Sequence, residues 1–501
     1  MHDKVKSRSR RAIPAVTRIL ESLGRIDLPR PLIVDLVRRE LSKLRAGEEI
    51  PEFKLIVDLV RASVENFRAR RLQPIINGTG VIIHTNLGRS PLADEAAAAV
   101  RQIASSYNNL EFDLTTGERG DRGLYIENAL AQLCGAQSAT IVNNCAAGLV
   151  LIVRHFTRAR GRARQSQSGP PIGRTRRVAS PDPASGSYES PTRRGAPLKS
   201  EVIVSRGELV QIGGGFRIGE ILEASGATVR EVGATNKTTL ADYSHAVNSQ
   251  TALILKVHRS NFFMSGFVES PSSANIAALA QRKRIPFVED LGSGAMLATE
   301  QIGLHEHEPT PNEAIKNGAD LVCFSGDKLF GGPQAGIIAG KKRFITALKR
   351  EPLFRALRCD KLVFAALQAT VDLHLNQALA EIPALALLRV PKDELRARAA
   401  AMLVRLRGLP LQTTIGRGIA RVGGGTLPKS IVPSVTIDVL PENCSVHGFA
   451  SALRKSVPPI VAYISNDRIK LDLRTIFPHQ DDAVVDAIRV ACSGIFDQSH
   501  K

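Results

Sequence analysis

The sequence predicts an α/β protein with a mostly parallel central sheet, a small helical domain before it and a smaller α+β domain after it. Three observations carry this expectation. The first 71 residues show only helical periodicity. From Leu72 onward, short β-branched runs that are apolar on both faces alternate with helix-length segments. From about Asp360 a long Ala- and Leu-rich helical region leads into a final run of alternating segments.

Residues 12–71 read as three amphipathic helices (Pro14 to Leu23, Pro31 to Arg45 and Glu52 to Arg70). Pro14, Pro29, Pro31 and Pro51 stand at their starts, where a missing N–H costs nothing. The expected strands of the body are Ala139 to Val142, Glu201 to Val204, Ala252 to Val257, Pro286 to Glu289, Asp320 to Phe324 and Gly336 to Ala339. The closing segments are Ser434 to Val439, Ile469 to Leu473 and Ala483 to Ile495. This gives domains of 1–71, 72–365 and 366–501. Residues 157–199, rich in Arg, Ser, Pro and Gly, have almost nothing apolar to bury and read as a disordered surface insertion within the second domain.

At 501 residues and 43% hydrophobic, the chain is too long for one ordinary core and too apolar for a disordered tail. It has no run of 18 apolar residues, and Met1 to Arg11 lack the apolar stretch of a signal peptide, so a cytoplasmic protein without a membrane span is expected. The six cysteines form no C-x-x-C pair, which speaks against a zinc cluster or a disulfide framework. Lys and Arg number 67 against 48 Asp and Glu, a net charge of +19. The excess is concentrated: residues 1–71 hold 17 basic and 10 acidic side chains, and residues 157–199 hold 10 and 2. Such segments suit a polyanion, or are simply solvated surface, while the nearly neutral body suits small-molecule chemistry.

The strongest chemical signal is Ser325-Gly-Asp327-Lys328-Leu-Phe-Gly331-Gly332-Pro-Gln-Ala-Gly336, a glycine-rich turn after a buried strand. A lysine there is presented as a Schiff-base lysine is, although a surface lysine in a tight turn looks the same. Asp290 closes the preceding strand, one βαβ step earlier, so both side chains belong at one sheet edge. Pyridoxal phosphate needs a lysine for its aldehyde and a carboxylate facing its pyridine nitrogen. It also needs an anion cradle, which Asn143-Asn144-Cys145 can supply by opening a helix after a strand; an Asn-rich cap alone is the plainer alternative. The three together, in this order, point to pyridoxal phosphate, with Ser325 beside it. Gly213–Gly219 and Gly423–Gly425 fit no nucleotide loop and read as turns, and His305-Glu306-His307-Glu308 reads as a polar loop rather than a metal site.

Asp290 and the Ser325–Gly336 turn lie within stretches that run almost end to end: Ile76 to Arg89, Tyr107 to Leu114, Val204 to Val210, Lys256-Val-His258, Asp290 to Gly294, Phe324 to Gly336 and Arg355-Ala-Leu-Arg358. In them the chain resembles the bacterial selenocysteine synthases, the L-seryl-tRNA(Sec) selenium transferases. That resemblance implies a pyridoxal-phosphate enzyme of fold type I, like aspartate aminotransferase. It implies Lys328 as the cofactor-bearing lysine, Asp290 as the pyridinium partner and Asp327 as an aid to elimination. It implies Arg89, Arg355, Arg358 and Thr235 as the substrate-binding set that holds the selenophosphate anion, a choice consistent with forked guanidinium donors. Residues from Ile13 to Val16 resemble the start of the family's tRNA-binding domain. The implied partners are serine-charged tRNA(Sec), selenophosphate and further copies of the chain in a ring-like decamer, and the implied product is selenocysteinyl-tRNA(Sec) for selenoprotein synthesis. The chain departs from the family's usual pattern at Cys145, at Ala234-Thr235, at Tyr463 and in the basic insertion. Two other readings are a pyridoxal-phosphate lyase for a small amino acid or amino sugar, against which the helical N-terminus argues, and an RNA-binding protein with an inactive body, which should lack Lys328 or Asp290.

Overall fold

In a computed structural model of the chain, residues 13–47, 49–166 and 201–496 are described. The helices α1 (Val16–Leu23), α2 (Arg30–Ala46) and α3 (Phe53–Arg68) fall where the apolar spacing places them. They close on a core of their own: Ile19, Leu36, Val37, Leu41, Ile56, Val60 and Val64 are buried together. Burial of side chains of this size contributes about 1.5–3 kcal/mol each. Pro31 sits in the first turn of α2, and Lys43 and Arg45 in its last, where they oppose the helix dipole. This helical group falls in a compact unit comprising residues 1–76, 447–461 and 486–501, in which β1 (Ile76–Asn77) meets the short strand at 460–461.

The second unit, residues 77–446 and 462–485, holds two sheets and the helices α4 (Asp94–Ala104), α5 (Leu124–Cys134) and α6 (Cys145–Ser166). Its strands begin with β2 (Val81–Ile83), β3 (Ser138–Val142), β4 (Glu201–Ser205), β5 (Thr228–Val232) and β6 (Thr251–Val257). They continue with β7 (Phe287–Gly292), β8 (Leu321–Ser325), β9 (Gly336–Gly340), β10 (Leu411–Gly423) and β11 (Thr426–Pro441). After β12 (Ile460–Val461) of the other unit come β13 (Tyr463–Ser465) and β14 (Arg468–Asp472). The seven-stranded sheet has the order β3-β9-β8-β7-β6-β4-β5. All its pairings are parallel except those of β9, which runs antiparallel to both neighbours. The six expected strands are present, each within three residues of its expected bounds. The strand β5, which the apolar pattern did not show, is the sheet's edge: Arg230 and Glu231 are exposed, so its sequence lacks the two-sided apolar run.

Three further differences have local causes. Helix α6 continues through Ser166, so residues 157–166 are helical rather than part of a disordered insertion. Thr-Arg-Ala-Arg-Gly-Arg-Ala-Arg-Gln contains strong helix formers, and the absence of an apolar face says nothing against extension from a helix already nucleated. The rest of the insertion, 167–199, lies outside the described residues. The segment Ala483 to Ile495 lies in one helix, Asp481–Phe496, and not in an alternating stretch. The strand β2 pairs with β10 in the second sheet, ordered β13-β14-β11-β10-β2, so chain from either side of residue 365 meets there. The division between the sheets is therefore not a single point in the chain.

One buried side chain supports the glycine-rich lysine turn from behind. His374, 1% exposed on the helix Lys361–Leu375, donates from Nε2 to the carbonyl of Phe330 at 2.9 Å, two residues beyond Lys328. Burial pushes its pKa below the ordinary value of 6.5, with the Phe330 contact opposing. Below pH 6.5 the unfolded chain therefore binds a proton that the folded chain resists, and stability is lost as the pH falls. Melting temperatures taken from pH 7 down to pH 5.5 should drop more steeply for the wild type than for His374→Gln. Parallel curves would contradict the burial argument.

Candidate active site

The carboxyl ends of β6, β7 and β8 lie side by side, because their register pairs Val257 with Asp290 and Asp290 with Cys323. His258, Asp290 and the turn after Ser325 therefore emerge at one edge, the usual place for a ligand in an open α/β sheet. They line a cleft of about 490 Å³ that also takes in Arg89, Asn144, Cys145, Ser325, Asp327 and Lys328.

Lys328 sits in a turn held by four backbone hydrogen bonds: Gly326 N to Ala335 O (2.9 Å), Gly332 N to Gly326 O (2.8 Å), Leu329 N to Ser293 O (3.0 Å) and Gly331 N to Lys328 O (3.0 Å). Gly292, at φ +67°, closes the opposite wall; a Cβ there would lie 3.9 Å from Lys328 Nζ and 3.4 Å from Ser260 Oγ. Asp290 is buried at the base. Burial pushes its carboxyl above the ordinary range, while the Lys328 charge and the Cys145 thiol pull it back. Cys145 Sγ stands 3.5 Å from Asp290 Oδ1, close enough for a weak S–H donor, and 3.5 Å from Cys323 Sγ. The Cys323 contact, burial and the Asp290 charge hold the Cys145 thiol well above its usual range, so it stays protonated as that donor requires.

Asp327 is buried and accepts from Arg89 Nη1 at Oδ2, 2.7 Å away, while its Oδ1 has no hydrogen-bond partner among the described residues. The pair joins positions 238 apart in the chain. Arg89 reaches it from a turn after β2, with its own backbone in the left-handed region at φ 66°. That conformation is costly for a residue with a side chain and is the sort of strain found at functional sites.

The other candidates are divided. Asn144 lines the cleft, but its Oδ1 accepts from Ala147 N at 2.8 Å, so its carboxamide caps α6 as the plainer reading held. Asn143 is exposed and does not line the cleft, and Thr235 is likewise exposed and outside it. Arg355 and Arg358 line a different cavity, of about 320 Å³, together with Arg119, Arg122 and Glu111; Arg358 Nη1 lies 3.3 Å from Glu111 Oε1. Within one chain, then, Arg89 alone of the expected anion-binding set lines the cleft with Lys328, and Arg355, Arg358 and Thr235 lie outside it. Sequence reasoning in turn left out His258 and Ser260, although the strand-end rule that found Asp290 applies equally to His258. It also set aside Gly213, Gly424 and Gly425 as turns; they are in turns, yet they line the cleft. Among the described residues no group of three or more His, Cys, Asp or Glu side chains is placed to hold a metal ion.

Close packing behind the cleft yields a test. A Cβ on Gly336 would meet Asn144 O at 2.1 Å and Cys145 N at 2.9 Å, both rigid backbone at the start of α6. Gly336→Ala should therefore lower stability by about 1–3 kcal/mol in denaturant unfolding. A variant as stable as the wild type would show that this loop yields freely.

The parallel sheet, the lysine turn and the strand-end aspartate define the pyridoxal-phosphate-dependent transferase fold of type I. A solved structure of D-glucosaminate-6-phosphate ammonia-lyase matches with TM-score 0.52 and 21% identity over 85% of this chain and 97% of that one, a likeness of fold alone. Residues 75–166 and 196–477 match the family of L-seryl-tRNA selenium transferases. The L-seryl-tRNA(Sec) selenium transferase of Carboxydothermus hydrogenoformans is 40% identical over 485 residues, 94% of this chain and 95% of the relative. That of Geobacter sulfurreducens is 39% identical over 497 residues, 96% and 99% of the two. The chain belongs to the L-seryl-tRNA selenium transferase family.

Proposed function

We propose that this protein converts seryl-tRNA(Sec) into selenocysteinyl-tRNA(Sec), taking selenium from selenophosphate and using pyridoxal 5′-phosphate. The observation that carries the reading is the match to selenium transferases along nearly the whole chain, within whose matched ranges the residues of the cleft fall. The ammonia-lyase likeness concerns the fold alone and gives the lyase reading no support of its own.

The residues present fit the cofactor. A buried carboxyl pushed upward, as that of Asp290 is, calls for a positive partner, and a protonated pyridine nitrogen is one. The Lys328 amine lies in the same cleft for the aldehyde, and the start of α6 offers main-chain N–H groups to a phosphate. When bound, pyridoxal phosphate supplies an electron sink for breaking the bond to the serine α-hydrogen. Lys328 Nζ takes that proton and later returns it. Arg89 stays charged at any working pH and offers paired N–H groups to an oxyanion, while Asp327 fixes its direction. Cys145 holds Asp290 where an asparagine is usual in the family, so the departure keeps a donor at that carboxylate.

Residues 1–71 act as the tRNA-binding module, 72–365 as the cofactor domain and 366–501 as the small domain. Arg355, Arg358 and Thr235 belong to the substrate set; because the two arginines line a separate cavity in one chain, we assign the working form to a homo-oligomer in which a second copy completes the site. No helix among the described residues is long and apolar enough to cross a membrane, and we place the enzyme in the cytoplasm. The test is direct: the purified protein should be yellow, bind serylated tRNA(Sec) but not serylated tRNA(Ser), and form selenocysteinyl-tRNA only with selenophosphate. Equal binding of both tRNAs would refute the assignment.

A further inference from the structure

The loop His305-Glu306-His307-Glu308 contains a carboxylate that no role described so far uses. Glu308 is almost fully buried, its side chain only 2% exposed. Its backbone is pinned: Glu308 N donates to Thr299 Oγ1 at 3.2 Å, and that hydroxyl donates to Glu306 O at 2.7 Å. Yet Oε1 makes no well-aligned hydrogen bond. The group that faces it is His258, whose Nε2 stands 3.2 Å from Oε1. A buried carboxylate without compensation costs several kcal/mol, so a fold that keeps one points it at a group able to carry positive charge.

His258 is placed to use such a partner. It follows the last residue of β6, its backbone N donates to Asp290 O at 2.8 Å, and its ring, 28% exposed, lines the cleft with Lys328. With Nε2 turned to Glu308, Nδ1 is the ring nitrogen left for a ligand, and no hydrogen bond to it is present among the described residues. The other carboxylates near the ring are engaged. Asp327 pairs with Arg89, Glu208 with Lys256 at 3.0 Å, Glu289 accepts from Ser273, and Asp290 faces Cys145 and Lys328. Arg259 is the adjacent cation on the same segment.

We propose that His258 is a proton shuttle of this cleft and that Glu308 is its positioning residue, an inference that rests on the seryl-tRNA reading above. The incoming seryl ester carries an α-ammonium group and must give up one proton before its amine can react. His258 Nδ1 accepts that proton, and the Glu308 carboxylate compensates the ring's charge while the proton resides there. Lys328 Nζ then takes the α-proton, and the electrons of that C–H bond become the Cα–Cβ double bond. The Cβ–O bond breaks with its electron pair on oxygen, which takes the proton from His258 Nδ1 and departs as water. His258 returns to its starting state, and no outside acid is consumed. Asp327, already ion-paired to Arg89, need not supply that proton.

A double-mutant cycle on the cofactor-loaded enzyme tests this. His258→Gln should lower kcat for selenocysteinyl-tRNA formation by about 10²-fold or more, the usual scale for a positioned proton donor, with KM for seryl-tRNA(Sec) and the cofactor's absorption unchanged. Glu308→Ala should lower kcat about tenfold, and Glu308→Gln, which keeps the volume and an acceptor oxygen, should recover part of that loss. In the His258→Gln background, Glu308→Ala should cost nothing further, since it acts only through the ring. Multiplying losses, or losses that appear in KM alone, would overturn the proposal. In the cofactor-free chain, diethyl pyrocarbonate should modify His258, as read by peptide mass, and cofactor loading should protect it; a His258 that is never modified overturns the placement of the ring in the cleft. A wild-type enzyme inactive on seryl-tRNA(Sec) would instead defeat the functional reading, and the modification result would still stand as a separate measurement.

Discussion

Lys328→Ala is expected to abolish selenocysteinyl-tRNA formation. The lost proton transfer alone accounts for about 10²–10⁴-fold, and the loss of the amine that anchors the cofactor adds to it. The variant should keep its fold, because Lys328 is only half-buried and its turn is held by backbone hydrogen bonds from Gly326, Leu329 and Gly332. Far-ultraviolet circular dichroism should therefore match the wild type, while the yellow colour that survives gel filtration is lost. Borohydride reduction of the wild type followed by peptide mapping should place the pyridoxyl group on Lys328. Label on another lysine, or turnover within tenfold of the wild type, would remove Lys328 from its assigned role.

Deleting residues 1–71 should have an equally large effect on a different observable. The segment carries 17 basic and 10 acidic side chains, and its helices bury their apolar faces in a core drawn from residues 13–67. The cut falls before β1 at Ile76 and leaves the seven-stranded sheet whole. The truncated chain should thus still take up the cofactor on Lys328 yet lose affinity for tRNA(Sec). A folded tRNA is gripped through phosphates and shape, since A-form stems hide their base edges in a narrow groove. Binding by the full chain should accordingly weaken with salt at a log–log slope of roughly −0.7 to −0.9 per phosphate contact, and the deletion should flatten that slope. Unchanged affinity and slope after truncation would transfer tRNA binding to some other part of the chain and revive the lyase reading.

The two experiments divide the molecule as its chemistry does, the first addressing a side chain in a turn and the second a surface of distributed charge. They also separate the cofactor assignment, which rests on Lys328 and Asp290 together, from the substrate assignment, which depends on residues that one chain leaves apart. Arg355 and Arg358 are the clearest instance: chemically apt for an oxyanion, yet in a cavity of their own with Glu111.

What the sequence determined by itself is what depends on neighbours in the chain. Apolar runs such as Ala252–Val257 and Pro286–Val288 announced buried parallel strands, because a strand covered on both faces has no polar alternation to show. Asp290 and Lys328 could be paired from their spacing, since one βαβ step brings consecutive strand ends to one edge. The spacing of Ile56, Val60 and Val64 likewise announced the inner face of α3. Tertiary structure alone decided everything that joins distant segments. It brought Arg89 to Asp327 across 238 positions, set Glu308 beside His258, put Cys145 between Asp290 and Cys323, and carried β2 into the second sheet. Periodicity reports which face of an element is buried but not what lies against it. That depends on how whole sheets and helices pack, and a side chain such as Glu308 acquires its role only when such packing removes it from water.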